Sequence, residues 1–180
     1  MPLFTGRGDE GETDLLGSRV SKDHHRIEVL GTLDELNAVL GLALTALPAG
    51  PDARLLDEVQ NDLFTMGAEL AVAPAGESPP LASPLDSRRV RVLETGIARL
   101  EGEIGPQKAF VLPGGSPAAA RLHHARAVVR RAERRAVALA SREEVNPEIL
   151  RYLNRLSSLL HAMALGANQE AGVEERRPSY

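Results

Sequence analysis

The chain has no cysteine and no tryptophan. The first absence removes disulfides, thiolate metal sites and cysteine nucleophiles together, and fits a reducing compartment. Aromatic residues make up only 3%, so the interior has to be filled by Leu, Val, Ile and Ala, which suit helix-on-helix packing. That composition predicts an all-α fold. No apolar run reaches the ~18 residues that a membrane span needs, and the N-terminus lacks the basic-then-apolar pattern of a secretory signal. A cytoplasmic protein with no membrane partner is expected. The formal net charge is −4, without the broad basic field of a general nucleic-acid binder. No Glu-x-x-His occurs, which excludes the ferritin-like two-metal signature. The adjacent pairs His24-His25 and His123-His124 diverge around a helix and are read as structural or solvated. No metal held by protein side chains is expected.

What is present is helical periodicity. At 180 residues the chain suits one domain, able to bury roughly 70% of its unfolded surface. Residues 1–23 are rich in glycine and show no helical period, and they read as a loop or extended arm. Apolar residues then recur three and four apart in five segments. The first begins at about His25 and runs through Leu33, Leu36, Leu40 and Leu44 until Pro48. The second starts at about Asp52, and Pro-rich residues 73–84 follow as a flexible link. The third covers about Ser87 to Ile104, stopped by Gly105-Pro106. Ser116 and Pro117 are a good N-cap and first helical residue for the fourth, which runs to about Ser141. Its seam of Leu122, Ala125, Val129, Ala132 and Ala136 implies close approach of neighbouring helices. The fifth follows Asn146-Pro147 and runs to about Gly172. The expected architecture is a five-helix bundle over 25–172, an arm over 1–23 and a loosely held tail over 173–180, with Tyr180 free to pack on something.

Four constellations stand out. In RAVVRRAERR, a helix puts Arg126, Arg130 and Arg134 on one face with Glu133 beside them. Guanidiniums four residues apart repel one another unless something anionic sits between them, which points to a phosphate-bearing ligand or a carboxylate from another segment. The alternative is a solvated basic face. In TGRGDEGET, backbone N–H groups can approach an anion closely. It matches no P-loop, and the alternative is a disordered tail, against which stand the apolar anchors Phe4, Leu15 and Leu16. In FVLPGGS, Phe110 occupies a rigid turn, either as a core anchor or as an apolar wall for a large ligand. In YLNRLSS, Asn154, Arg155, Ser157 and Ser158 interrupt a leucine-lined helix and need partners or solvent. In addition, Asp34 with Asn37 and Gly41 makes a polar stripe, read as early in its helix, that suits an incoming arginine or an N-terminal-turn carboxylate.

Taken in order, TGRGDEGETDLLGSRVSKD, EVLGTLDELNAVLG, FVLPGGSPAAARLHHARAVVRRAERR and YLNRLSSLLHAMALGANQE resemble the propanediol-utilisation type of ATP:corrinoid adenosyltransferase over nearly the whole chain. The resemblance implies a homotrimer of five-helix bundles binding ATP and a corrinoid between adjacent subunits. It implies that Co(I) attacks C5′ of ATP and expels triphosphate, with Mg²⁺ assisting, to form adenosylcobalamin from cobalamin. Phe110 matches the apolar residue that fills the lower axial position of the corrinoid and makes Co(II) reducible. Thr5, Gly6, Arg7, Gly8 and Thr13 match the arm that wraps ATP, Lys22 a phosphate contact, and Arg130, Glu133, Arg134 and Asn154 the nucleotide site. Arg126 is implied to pair with Asp34 of the adjacent subunit. A reductase and an adenosylcobalamin-dependent enzyme are implied as partners. The family arm usually reads T-K-T-G-D-K-G, whereas this chain has Gly6 and Arg7 for Lys and Thr, and Glu10 for Lys. A trimeric module that carries or senses ATP and adenosylcobalamin with little turnover is the alternative.

Overall fold

The computed structural model describes residues 4–72, 83–107 and 109–179. Five helices form where periodicity predicts them: α1 His25–Leu44, α2 Pro51–Ala71, α3 Ser87–Ile104, α4 Pro117–Ala140 and α5 Pro147–Glu170. Their starts are set by local chemistry. Ser116 Oγ accepts from Ala119 N at 3.2 Å, Asn146 Oδ1 from Glu148 N at 3.0 Å and Asp86 Oδ1 from Arg88 N at 2.9 Å. Each satisfies an N–H that has no intrahelical acceptor. At α1 the cap is His24, whose Nδ1 accepts from Arg26 N at 3.2 Å.

The fold is not purely α. Residues of the arm form an antiparallel hairpin, β1 Glu12–Leu15 with β2 Ser18–Ser21, Leu15 facing Ser18 across the turn at Gly17. Glycine is required at that turn, where φ is +94°. Composition favoured helices because it is summed over the chain; four-residue strands leave no mark on that sum.

Neighbouring helices form a closed ring. α4 packs on α1 and α5, α5 on α3, and α1 on α2. Arg89 of α3 then reaches Asp62 of α2 across 2.8 Å. Leu36, Leu40, Leu56, Leu122, Leu153 and Leu156 are fully buried inside the ring, each stabilising by roughly 1.5–3 kcal/mol. The predicted alanine seam of α4 is buried throughout. At the α2–α3–α5 crossing, a Cβ on Gly96 would lie 2.8 Å from Leu55 Cδ2, so the helices are closer than a larger residue permits.

Two expectations need correction. α1 stops at Leu44, four residues before Pro48, and the chain leaves it through tighter turns in which Ala46 N donates to Ala43 O at 3.0 Å and Leu47 N to Leu44 O at 3.3 Å. The tail is held: Leu112 N donates to Arg176 O at 2.7 Å and Val173 N to Asn168 O at 2.9 Å. Polar tail residues gave no sign of these backbone bonds. Residues 73–82 of the link read over 73–84, and Tyr180, lie outside the described residues.

Candidate active site

α4 sorts its arginines onto two faces. Arg131 pairs with Glu35 and Arg135 with Glu28, the latter at 3.0 Å, so these two tie α4 to α1. Arg126 and Arg130 point the other way, into a cleft of about 750 Å³ bounded by the end of α3, α4 and α5, with Ser157, Ser158 and His161 on its far wall. Neither has a carboxylate partner among the described residues. Burial, and then the neighbouring Arg130, lowers the Arg126 guanidinium below its usual range. Two cations one helical turn apart in a concave, part-buried site are suited by charge to an anion.

Glu133 and Asn154 extend this face. Asn154 Nδ2 donates to Glu133 Oε1 at 2.9 Å, and Arg155 donates to Asn154 Oδ1 at 2.8 Å while its Nε holds Glu94 at 2.9 Å. The polar break in α5 is thus a network between three helices. Arg134 is exposed one turn beyond Arg130.

A second cavity, about 630 Å³, adjoins the first and shares Gln107, Arg126 and His161 with it. Its outer wall is the 109–113 loop, from which Phe110 projects 79% exposed. The core-anchor reading of Phe110 is therefore wrong: the ring stands outside the core, on the wall of a cavity. The loop is fixed from behind by Asn168, which is 1% exposed. Its Oδ1 accepts from Ser116 N at 2.8 Å and its Nδ2 donates to Gly114 O at 3.1 Å. A Cβ on Gly115, where φ is +100°, would fall 2.2 Å from Asn168 Oδ1. Asn168 was missed in the sequence, although an Asn on the leucine seam of α5 is a signal.

The arm is folded but stands elsewhere. Leu16 N donates to Ala71 O at 2.9 Å, which ties the arm to the end of α2 through the backbone; of the three apolar residues read as anchors, Leu15 is buried, whereas the side chains of Leu16, 52% exposed, and Phe4, 85% exposed, are no anchors within this chain. Gly6 turns the backbone at φ +70°, Thr5 Oγ1 accepts from Arg7 N at 3.4 Å, and Arg7 lies 3.6 Å from Asp14. Lys22 Nζ donates to Gly8 O at 2.7 Å; a Cβ on Gly8 would meet that ammonium at 3.1 Å. Thr13 lies in β1, paired with Val20. Arg26, also unread in the sequence, secures this end, reaching Glu143 at 2.5 Å, Leu70 O at 2.9 Å and Val72 O at 3.0 Å. Because α1 and α4 run antiparallel with Glu28 level with Arg135 and Leu42 level with Arg121, the arm and the Arg126–Arg130 pair lie on the order of 15 Å apart along the bundle.

Asp34 corrects an assumption. It is the tenth residue of α1, not in its first turn, so no helix N-terminus accounts for it. Its supposed stripe is split: Gln60 of α2 covers Asn37, its Nε2 at 2.7 Å from Asn37 Oδ1, and sits against Gly41. Asp34 remains exposed and pairs with no cation among the described residues.

The cobalamin adenosyltransferase family matches this chain over residues 3–167. The chain belongs to that family. Among curated adenosyltransferases it is 43% identical to the corrinoid adenosyltransferase of Bacillus subtilis, covering 96% of this chain and 90% of that one. It is 42% identical to the corrinoid adenosyltransferase PduO of Citrobacter freundii, over 95% of this chain; it spans 51% of that longer protein. Among solved structures it superposes with TM-score 0.92 and 30% identity on a phenylalanine-to-alanine variant of the PduO-type ATP:corrinoid adenosyltransferase from Lactobacillus reuteri complexed with cobalamin and ATP, covering 99% and 100% of the two chains. An arginine-to-lysine variant of the Lactobacillus reuteri adenosyltransferase complexed with ATP superposes with TM-score 0.89 and 31% identity, covering 98% and 100%. Among the described residues, no helix is long and apolar enough to cross a membrane.

Proposed function

We propose that this enzyme performs its adenosyl transfer from ATP to cobalamin at a site completed by two copies of the chain in a homotrimer. The separation of the arm from the arginine cleft carries this reading. Within one copy, the folded arm holds its donors (Thr5, Gly6, Arg7, Gly8, Thr13 and Lys22) too far along the bundle to converge on a phosphate bound by Arg126 and Arg130. A neighbour's arm laid across the cleft brings both sets onto one triphosphate, with Mg²⁺ carried by the nucleotide. Exposed Asp34 of one copy then meets Arg126 of the next, relieving the repulsion between Arg126 and Arg130.

Residues 1–180 act as one adenosyltransferase domain: 1–23 the nucleotide arm, 25–172 the bundle and 173–180 a tail that braces the Phe110 loop. Phe110 lies beneath the corrin and excludes a lower axial ligand, so that Co(II) can be reduced. Co(I) is itself a strong nucleophile and needs no general base. It displaces triphosphate at C5′, forming the Co–C bond as the C–O bond breaks. Arg130, with Arg134 at the rim, stabilises charge on the leaving triphosphate, while Glu133 and Asn154 orient the nucleoside. The reducing electron comes from a separate reductase, and an adenosylcobalamin-dependent enzyme takes the product in the cytoplasm. Arg7 restores the cation that Gly6 removes from the usual arm; Glu10 lowers the arm's attraction for phosphate.

Co-expression of two inactive variants tests the shared site. Lys22→Ala damages the arm and Arg130→Ala the cleft. Random mixing in a trimer leaves about one quarter of sites with both halves intact, so activity should recover to about that fraction. A mixture no more active than its parents places the whole site within one chain and rejects the reading.

A further inference from the structure

The exposed ring of Phe110 buries little against the chain, so its position is set by the backbone of its loop, residues 105–116 between α3 and α4. Ahead of the ring, exposed Gln107 donates from Nε2 to Ala109 O at 2.9 Å. Just behind it, Leu112 N donates to Arg176 O at 2.7 Å. The deepest hold comes from Asn168 of α5, whose side chain is buried. A bond made out of water holds more firmly than an exposed one, because breaking it leaves a desolvated group unmet.

The Asn168 carboxamide uses all of its hydrogen-bonding functions on this loop and the tail. Its Oδ1 accepts from Ser116 N at 2.8 Å, and its Nδ2 donates to Gly114 O at 3.1 Å and to Glu175 Oε1 at 3.0 Å. One acceptor and two donors on adjacent atoms are what an amide supplies. An aspartate would set a second carboxylate against Gly114 O and Glu175, and a leucine would leave all three partners unmet. The loop cannot settle elsewhere on α5 without lifting off this amide, since at Gly115 even a Cβ has no room beside it. Ser116 is also the N-cap of α4. One side chain therefore ties together the loop that carries Phe110 and the start of the helix that carries Arg126 and Arg130. Asn168 itself lines neither the cleft nor the Phe110 cavity, so any effect it has on the substrates passes through the loop.

We infer that Asn168 is a positioning residue for Phe110, holding the ring at the depth that keeps a lower axial ligand off cobalt. The inference rests on the adenosyltransferase reading of the site and on the place given there to Phe110. It predicts that loss of the amide is felt where Phe110 acts, at the reduction of Co(II).

The test uses Asn168→Leu, which keeps the bulk and removes the hydrogen bonds. Adenosylation from cob(II)alamin with ATP and a reductant should fall about tenfold, and adenosylation from chemically prepared cob(I)alamin much less. The electron paramagnetic resonance of cob(II)alamin bound with ATP should show the nitrogen splitting of an axial ligand, absent with the parent. In a Phe110→Ala background the same substitution should add less than about twofold to the loss from cob(II)alamin, because the two changes remove one function. Should Asn168→Leu fail to fold, Glu175→Leu removes a single bond from the same amide and should give about a threefold loss in the same cycle. A variant that behaves like the parent, that loses both assays by one factor, or that multiplies its loss onto that of Phe110→Ala overturns the inference and leaves the adenosyltransferase site standing. A Phe110→Ala variant as active as the parent from cob(II)alamin would overturn the reading of Phe110 as well.

Discussion

The Asn154 amide donates to the Glu133 carboxylate across 2.9 Å, fastening α5 to α4 one turn from Arg130. The bond orients a carboxylate and a carboxamide into the space beside the Arg126 and Arg130 guanidiniums, where a nucleoside would sit. Asn154→Ala frees Glu133 to swing toward Arg130 and fill the cleft with a carboxylate. We predict a kcat/KM for ATP lower by tenfold or more, roughly 1.4 kcal/mol. Steady-state kinetics with ATP varied at saturating cob(I)alamin measures it.

Phe110 is 79% exposed and supports no core. Phe110→Ala should change stability by no more than about 0.5 kcal/mol, as for surface substitutions generally. Its effect should appear in one assay: adenosylation starting from cob(II)alamin with a reductant should fall at least tenfold, on the order of 1.4 kcal/mol. Adenosylation from chemically prepared cob(I)alamin should fall much less. Parallel assays from the two cobalt states check the difference.

Tyr152, Asp62 and Arg89 hold together α5, α2 and α3. Tyr152 Oη donates to Asp62 Oδ2 at 2.7 Å and Arg89 reaches Asp62 Oδ1 at 2.8 Å. Burial raises the Asp62 carboxyl above its usual range, against the lowering effect of both partners. Tyr152→Phe removes one partner from a buried carboxylate and should cost about 1–3 kcal/mol, a fall in Tm of several degrees for a chain of this size. Activity per folded molecule at 25 °C should be unchanged. Calorimetry and a specific-activity measurement separate the two.

Acidification should weaken the fold through His123 and His161. Burial lowers both imidazoles in the folded chain, so below their ordinary value of about 6.5 the unfolded state binds more protons. Stability then rises with pH across that window and falls as pH drops from about 7 toward the folded-state values. Asp62, raised by burial, works in the opposite sense at lower pH. Comparing Tm between pH 7.5 and 5.5 for the parent and for a His123→Leu, His161→Leu double variant isolates the histidines. The double variant should show the smaller decline.

Much of this protein is legible without coordinates. Apolar residues three and four apart fix helices α1 to α5, and Ser116, Asp86 and Asn146 mark where three of them begin, because a cap acts on N–H groups two or three residues away. The spacing of Arg126, Arg130 and Arg134 places them on one face for the same reason. The order of four motifs along the chain was sufficient to name the family.

Tertiary packing decided the rest. Periodicity assigns residues to a helix face but does not say which neighbour covers it. It therefore could not show that Arg131 and Arg135 pair with carboxylates of α1 while Arg126 and Arg130 have no carboxylate partner among the described residues, or that Gln60 shields Asn37 and leaves Asp34 exposed. Phe110 reads equally well as core or as wall, since exposure belongs to the folded surface and not to the residue. His123, His161 and Asn168 became meaningful only when segments some forty to fifty residues apart met around one cavity and one loop. The sequence wrote the helices and the inventory of charges; the close packing of five helices determined which charges pair with a neighbouring helix and which face the cleft between α3, α4 and α5.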